Sequence, residues 1–321
     1  SLESVKIPYA EAAKPGVTML QEEIISIDPA SRSVTTDRGT HQGDVLVIAL
    51  GADFDFDATP GLAEHGHEFY SFAGAEKASA PIAAFESGHA VIGVCGAPFK
   101  CPPAPSECAL MLSDELVRRG KREECEITLV MPFNTPVPPS PDTSDALFAE
   151  FEARGINFIG GKRPARLETD RVILDDGSTL PFDLFLGVPK HLAPDVVIES
   201  GITEDGYVRV DSATLRTGYD GVYAVGDVAT AGVPKAGVFA EGAAEVVARE
   251  LIAEVRGEPL PEPYDGRGSC YIEFGEDRVA RVDIDFLSGP EKTGEFNSPS
   301  LDLRKEKDDF GAVRKSRWFN L

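Results

Sequence analysis

Five cysteines are the side chains best suited to redox or nucleophilic work in this chain: Cys95, Cys101, Cys108, Cys125 and Cys270. An odd and low count argues against a structural disulfide framework. No Cys-x-x-Cys occurs and the histidines are scattered, so a zinc site has little support. Cys101 stands apart because it sits in Ala97-Pro98-Phe99-Lys100-Cys101-Pro102-Pro103-Ala104-Pro105, a glycine-free segment with prolines on both sides. A helical pattern follows at once, and a helix N-terminus favours the thiolate form of a nearby cysteine. Cys108 and Cys125 read as small buried hydrophobes. Cys95 competes as a partner for Cys101, although its place at the end of an apolar strand suits a core position better.

Two further segments could hold a ligand. Val222-Tyr223-Ala224-Val225-Gly226-Asp227-Val228-Ala229 is an apolar strand that ends in glycine and then a carboxylate. Glycine lets a ligand approach the backbone, and a carboxylate at a strand's carboxyl end can accept hydrogen bonds from sugar or ribityl hydroxyls. A plain turn with an Asp cap is the alternative. Leu46-Val47-Ile48-Ala49-Leu50-Gly51-Ala52 has the same shape without the acid, and a core strand closed by a turn glycine explains it equally well.

The elements that must position these residues follow from periodicity. Residues 17–27 and 33–36 read as a hairpin or meander across Asp28-Pro29, and 44–52 as a strand buried on both faces. Helices are expected over 74–87, 104–119 and 144–154, alternating with strands over 89–94, 126–131 and 156–159. That alternation is the signature of a doubly wound dinucleotide-type unit. Residues 164–180 read as an inserted antiparallel meander turning at Asp175-Asp176-Gly177. Strands follow over 182–188, 207–210 and 222–225, then the longest helix over 236–256, stopped by Gly257 and Pro259. Beyond the proline-rich 259–263, strands over 270–274 and 279–286 and a charged helix over 301–318 suggest a small separate unit. Periodicity therefore gives an α/β fold with a doubly wound dinucleotide-type unit and a small α+β C-terminal domain.

The 321 residues carry 54 acids against 31 bases, a net charge of −23. That balance argues against a nucleic-acid partner, which needs a clustered positive surface. No run approaches the ~18 apolar residues of a membrane-spanning helix, and no secretory pattern opens the chain. The Ser1-Leu2 opening does not read as a natural beginning. Residues 303–319 carry Arg304, Lys305, Lys307, Arg314, Lys315 and Arg317 ahead of Trp318-Phe319. Such a helix suits peripheral membrane contact, while Glu306, Asp308 and Asp309 suit a solvated surface helix.

Taken together, these segments resemble the FAD-dependent pyridine nucleotide–disulfide oxidoreductase superfamily. Residues 222–229 look like its second flavin-binding motif, and residues 46–52 are similar to the strand preceding its domain crossover. Pro234-Lys235-Ala236-Gly237-Val238-Phe239-Ala240-Glu241-Gly242 resembles the start of its isoalloxazine-facing helix. The Cys101 segment narrows the resemblance to the sulfide dehydrogenase flavoproteins: the flavin subunit of flavocytochrome c sulfide dehydrogenase and the sulfide:quinone oxidoreductases. Gly268-Ser269-Cys270-Tyr271 resembles the segment that supplies their second redox cysteine. For the fold, the family resemblance implies two doubly wound dinucleotide-binding-type domains, the first incomplete, and a small C-terminal one. The boundaries are 1–75 with 190–263 for the first domain, 76–189 for the second and 264–321 for the third. The resemblance implies a catalytic pair, Cys101 with Cys270, and FAD contacts from Gly51, Ala52, Gly226, Asp227, Lys235, Ala236 and Gly237. Lys235 would place a fixed positive charge beside reduced flavin, although a solvated surface lysine is the competing reading. The implied activity is oxidation of sulfide or a related sulfur species, with electrons passing through FAD to a quinone or a c-type cytochrome. A periplasmic or membrane-peripheral location goes with it.

Departures from the pattern shape two expectations. The Gly-x-Gly-x-x-Gly unit that grips the flavin's ADP half is absent, so this chain is expected to bind FAD poorly and to expose sheet edges that favour dimerisation. The prolines where a nucleotide loop would stand disfavour NAD(P)H as donor. The alternatives are an NAD(P)H-dependent flavin or quinone reductase, and a redox-inactive scaffold that has lost FAD.

Overall fold

The computed structural model describes residues 6–8 and 14–319; the Ser1-Leu2 opening and the ends of the first and third expected domains lie outside the described residues. The fold is α/β, with Rossmann-like parallel sheets and a smaller α+β region at the C-terminal end. Its centre is a five-stranded all-parallel sheet in the order His67–Glu68, Leu184–Val188, Gly88–Val94, Cys125–Met131, Ile156–Gly160. Leu184–Val188 is buried at every position, as the apolar run requires for a strand covered on both faces. The helix Ala104–Arg118 packs on Gly88–Val94 and Cys125–Met131, and Pro141–Ala153 packs on the edge strand. The meander Pro164–Leu167, Arg171–Leu174, Thr179–Pro181 carries the chain from that edge back to the middle of the sheet.

Helix starts differ from the periodicity in a consistent way. Phe72–Ala84 begins two residues earlier than expected because the Ser71 hydroxyl accepts from the Gly74 N–H. Pro141–Ala153 begins at Pro141, where a missing N–H costs nothing, and Ser144 turns back to bond the Val137 backbone.

The expected doubly buried strand over 44–52 is a correction. Only Leu46–Ile48 of this stretch forms a strand, and among the described residues it pairs only with Val222–Ala224. Val45, Val47 and Leu50 remain 38%, 42% and 39% exposed. An apolar run reports its tolerance for burial, not whether anything covers it. Two short antiparallel strands, Asp53–Asp55 and Lys190–Leu192, form the crossover between this pair and the five-stranded sheet.

The C-terminal sheet has three strands, Arg267–Glu273, Val279–Asp285 and Thr293–Ser300. Its inner face continues the main core: Ile272, Phe274, Val282 and Phe286 join Leu110, Leu112, Leu129 and Phe239. Arg267–Glu273 thereby lies against both Ala104–Arg118 and the long helix Gly237–Arg256. At Gly268 a Cβ would stand 2.8 Å from the Phe239 ring, so glycine is what allows that approach. No helix among the described residues is long and apolar enough to cross a membrane. The helix Leu301–Phe319 buries no residue.

Candidate redox and cofactor site

Leu184–Val188 and Gly88–Val94 are parallel neighbours whose carboxyl ends lead into different segments, the short strand Lys190–Leu192 and a proline-rich turn. The Cys95 N–H donates to the Val188 carbonyl at 2.9 Å and holds the two exits together. One exit is the proline segment that bears Cys101. The other is Pro189-Lys190-His191. Gly96 fits between them because its missing Cβ would lie 2.9 Å from Lys190 Cβ.

The proline segment is tied to the second half of the molecule by its backbone. The Cys101 N–H donates to the Lys235 carbonyl at 2.7 Å, and Lys100 and Lys235 form a parallel bridge. Cys101 adopts φ 48°, a left-handed backbone position that is uncommon for a side chain of this kind. Pro98, Pro102 and Pro103 on one side, with Lys235, Ala236 and Cys270 on another, line a cavity of about 290 Å³. Cys270 lines this cavity, whereas Cys101 stands behind its neighbours Pro102 and Pro103 and is near enough to Cys270 for the charge of one to act on the other. All five cysteines carry free thiols. Cys95 is buried, with its thiol over the Gly93 carbonyl, which matches its reading as a core residue.

The electrostatics revise one expectation. Burial pushes the Cys101 thiol up to about 12, with the charges of Glu107 and Cys270 adding to the effect. Cys270 rises to about 11, again through burial and then Glu107. The first-turn N–H of Ala104 and the ammonium of Lys307 pull Cys101 the other way and lose. Desolvation outweighs the helix terminus here, so the reduced pair is two neutral thiols. Glu107, six residues past Cys101, was missed as a candidate. Its carboxyl is itself raised by burial, and it accepts from the Glu273 N–H at 2.8 Å.

Of the expected cofactor contacts, Lys235 and Ala236 line that cavity, and Gly226 and Asp227 join them around a smaller one. Gly51 and Gly226 leave the ends of the paired strands Leu46–Ile48 and Val222–Ala224, with φ 72° and 74°. Gly237 opens the helix Gly237–Arg256, whose N-cap Ala236 offers no side-chain cap. A Cβ built at Gly51 or Gly237 would meet open space, so both backbones present a free face. Asp227 is raised by burial and drawn down by Lys235 and then Lys100. Lys235 is not a solvated lysine: it is 6% exposed, donates to the Asp227 and Ala229 carbonyls and lies 3.6 Å over the Tyr207 ring. Burial lowers it to about 8. Lys100, also missed by motif, donates to the Ala52 carbonyl at 2.9 Å and covers the Phe54 ring at 4.4 Å. His191 and Tyr70 carry no sequence signal at all, yet their rings meet at 5.7 Å, and the Tyr70 hydroxyl donates to the Cys101 carbonyl.

A profile of the family described as pyridine nucleotide-disulphide oxidoreductase matches residues 3–245, about three quarters of the chain. The chain belongs to that family. Among curated relatives of this oxidoreductase, the mitochondrial sulfide:quinone oxidoreductase of Mus musculus is 26% identical over 88% of the chain and 66% of its own length. The sulfide-quinone reductase of Aquifex aeolicus is 29% identical over 86% of the chain and 70% of its own length. The crystal structure of the sulfide:quinone oxidoreductase of Aquifex aeolicus superposes with a TM-score of 0.78 at 24% identity, covering 93% of the chain and 75% of that structure. The chain therefore spans roughly two thirds of the length of these relatives. It is a general flavin-dependent oxidoreductase by family, related to sulfide-oxidising enzymes.

The residues present fit the ring end of a flavin. Two glycine backbones face open space, a twenty-residue helix starts uncapped, and two lysines spend their hydrogens on carbonyls. His191 adds a buried ring nitrogen with no hydrogen-bond partner among the described residues.

Proposed function

We propose that this oxidoreductase oxidises sulfide or a closely related sulfur species through Cys101 and Cys270. What supports the reading is that Cys270 lines a cavity beside the start of the helix Gly237–Arg256, that Cys101 next to the lining prolines Pro102 and Pro103 feels the charge of Cys270, and that the Glu107 carboxyl acts on both. In the oxidised form the pair would be a disulfide. Hydrosulfide attacks one sulfur, the S–S bond breaks, and the products are a persulfide on one cysteine and a thiolate on the other. Once the persulfide's outer sulfur has passed to a second hydrosulfide and left as a hydrodisulfide ion, both cysteines stand reduced, and bound FAD would supply the two-electron acceptor that reoxidises them to the disulfide. Ala236 and Gly237 would meet its electron-rich edge, Lys235 would neutralise charge there, and Gly51, Ala52, Gly226 and Asp227 would line its ribityl side. The final acceptor is a quinone or a c-type cytochrome, as the sulfide:quinone relatives suggest.

The reductase alternative fares worse on one feature. A nicotinamide dinucleotide needs glycine backbone at the exit of Gly88–Val94. The exit here is proline-rich, and its glycine, Gly96, is covered by Lys190.

The test is anaerobic mixing of flavin-loaded protein with sulfide, or with NADH, while the visible flavin band is followed. Sulfide should bleach it, NADH should not, and Cys101→Ser or Cys270→Ser should abolish the sulfide response while flavin stays bound. Bleaching by NADH alone would reassign the protein as a reductase.

A further inference from the structure

Cys101 is held at both of its peptide groups. Its N–H donates to the Lys235 carbonyl at 2.7 Å, and its carbonyl accepts from the Ala104 N–H at 2.9 Å. A third bond comes from the Tyr70 hydroxyl, which donates to the same carbonyl at 3.3 Å. Together they fix a backbone of φ 48°, a left-handed position that a residue with a Cβ adopts only when its surroundings hold it there. Rotation of that backbone would swing the Cβ, and the sulfur with it. Lys235 and Ala104 act through main-chain atoms, so their side chains do not decide those bonds. Of the three, only the bond from Tyr70 is made by a side chain.

Tyr70 is itself built into place. The Glu68 carboxylate accepts from the Tyr70 N–H at 2.7 Å and from the Ser71 N–H at 2.9 Å, and the Ser71 hydroxyl adds a further bond to it. Gly74 makes room for that carboxylate, because a Cβ there would overlap it. The phenol ring packs against Phe69 and His191, at 5.1 and 5.7 Å between centroids. Burial, and after it the charges of Cys101, Cys108 and Glu107, push the phenol well above its usual range, so it stays a neutral donor. A firmly seated O–H thus reaches from the turn after the edge strand His67–Glu68 to the peptide that carries a reactive sulfur.

We propose that Tyr70 is a positioning residue whose hydroxyl holds the Cys101 backbone in the left-handed turn from which its sulfur joins that of Cys270. This rests on the cysteine-pair reading above and deepens it by naming the side chain that favours closure of the pair. The bond goes to the carbonyl and not to the sulfur, so the effect belongs to geometry rather than to proton affinity.

The experiment equilibrates the chain anaerobically with glutathione and its disulfide, quenches with acid, alkylates, and measures the bridge between residues 101 and 270 by mass spectrometry. Two cysteine thiols and one glutathione disulfide give the protein bridge and two glutathione thiols. Tyr70→Phe keeps the ring and should lower the equilibrium constant for the bridge by about 2- to 10-fold, the ratio that ~0.5–1.5 kcal/mol for one net hydrogen bond gives. Iodoacetamide should meanwhile alkylate the reduced Cys101 at the wild-type rate. Tyr264→Phe removes a hydroxyl that donates to the Phe239 carbonyl at 3.0 Å, and should leave the constant where it is. An unchanged constant in Tyr70→Phe, an equal fall in Tyr264→Phe, or an alkylation rate that shifts enough to account for the fall overturns this inference and leaves the cysteine-pair reading standing. A wild-type chain that never forms the bridge overturns both.

Discussion

Desolvation makes negative charge expensive at Cys101 and Cys270 although Cys101 is open to solvent on one side, and Glu107 adds a like charge beside both. In the reduced pair each thiol therefore holds its proton well above neutrality, which suits a thiolate that must be captured quickly after sulfide attack rather than one kept ready as a free nucleophile. The sign of the Glu107 effect gives a direct check. An ionised carboxylate opposes thiolate formation, so Glu107→Gln should lower the pKa of the Cys101 thiol and raise its alkylation rate at every pH below the wild-type titration range. Mass spectrometry of peptides after timed iodoacetamide treatment reads this at Cys101 alone. An unchanged rate would mean the carboxyl does not act on that sulfur. The sequence made Cys101 visible because prolines in a glycine-free segment mark a place where the chain is stiff for a reason. It hid His191, since nothing in Pro189-Lys190-His191 hints that Phe54 and Tyr70 will close over the ring and leave one nitrogen bare.

Elements with strong periodicity, such as Ala104–Arg118 and Gly237–Arg256, stand within a residue of where apolar spacing and the closing glycines put them. Thr293–Ser300 escaped notice because its Gly294, Asn297 and Pro299 break any alternation, which an edge strand with a single neighbour tolerates. Asp53–Asp55 and Lys190–Leu192 are too short to show a period, yet they form the crossover between the two parallel sheets. The helix Leu301–Phe319 poses a different question, because it is held by charge. Arg304 and Lys307 pair with Glu273, Arg281 with Glu306, and Arg314 and Arg317 with Glu241. Screening shortens to ~3 Å at 1 M salt, and partly exposed pairs weaken with it. Hydrogen-exchange protection of 301–319 should accordingly fall at high salt while that of 104–118 holds. Equal protection in low and high salt would show that packing against the sheet, not ion pairing, keeps the helix in place.

For the molecule as a whole, the stretch around the strand Leu46–Ile48 leaves apolar side chains uncovered although its partner Val222–Ala224 is buried. Val45 and Val47 point to one side of a strand and are more than a third exposed, and Ile25 in the neighbouring meander is 52% exposed. Apolar surface of this kind drives association, and the net charge of −23 opposes it. Raised salt should therefore shift sedimentation toward a larger species, and Val47→Lys should reverse the shift without lowering the melting temperature, since Val47 loses little burial. A monomer at every salt concentration would remove the sheet face as an association surface.

The redox pairing itself is open to one decisive reading. Mild oxidation with diamide under native conditions, followed by protease digestion without reduction and mass spectrometry of the linked peptides, should yield a bridge between residues 101 and 270 as the principal product. A bridge from residue 101 to residue 95 or 108 instead, or two cysteines that stay unlinked while the protein remains folded, would contradict the account.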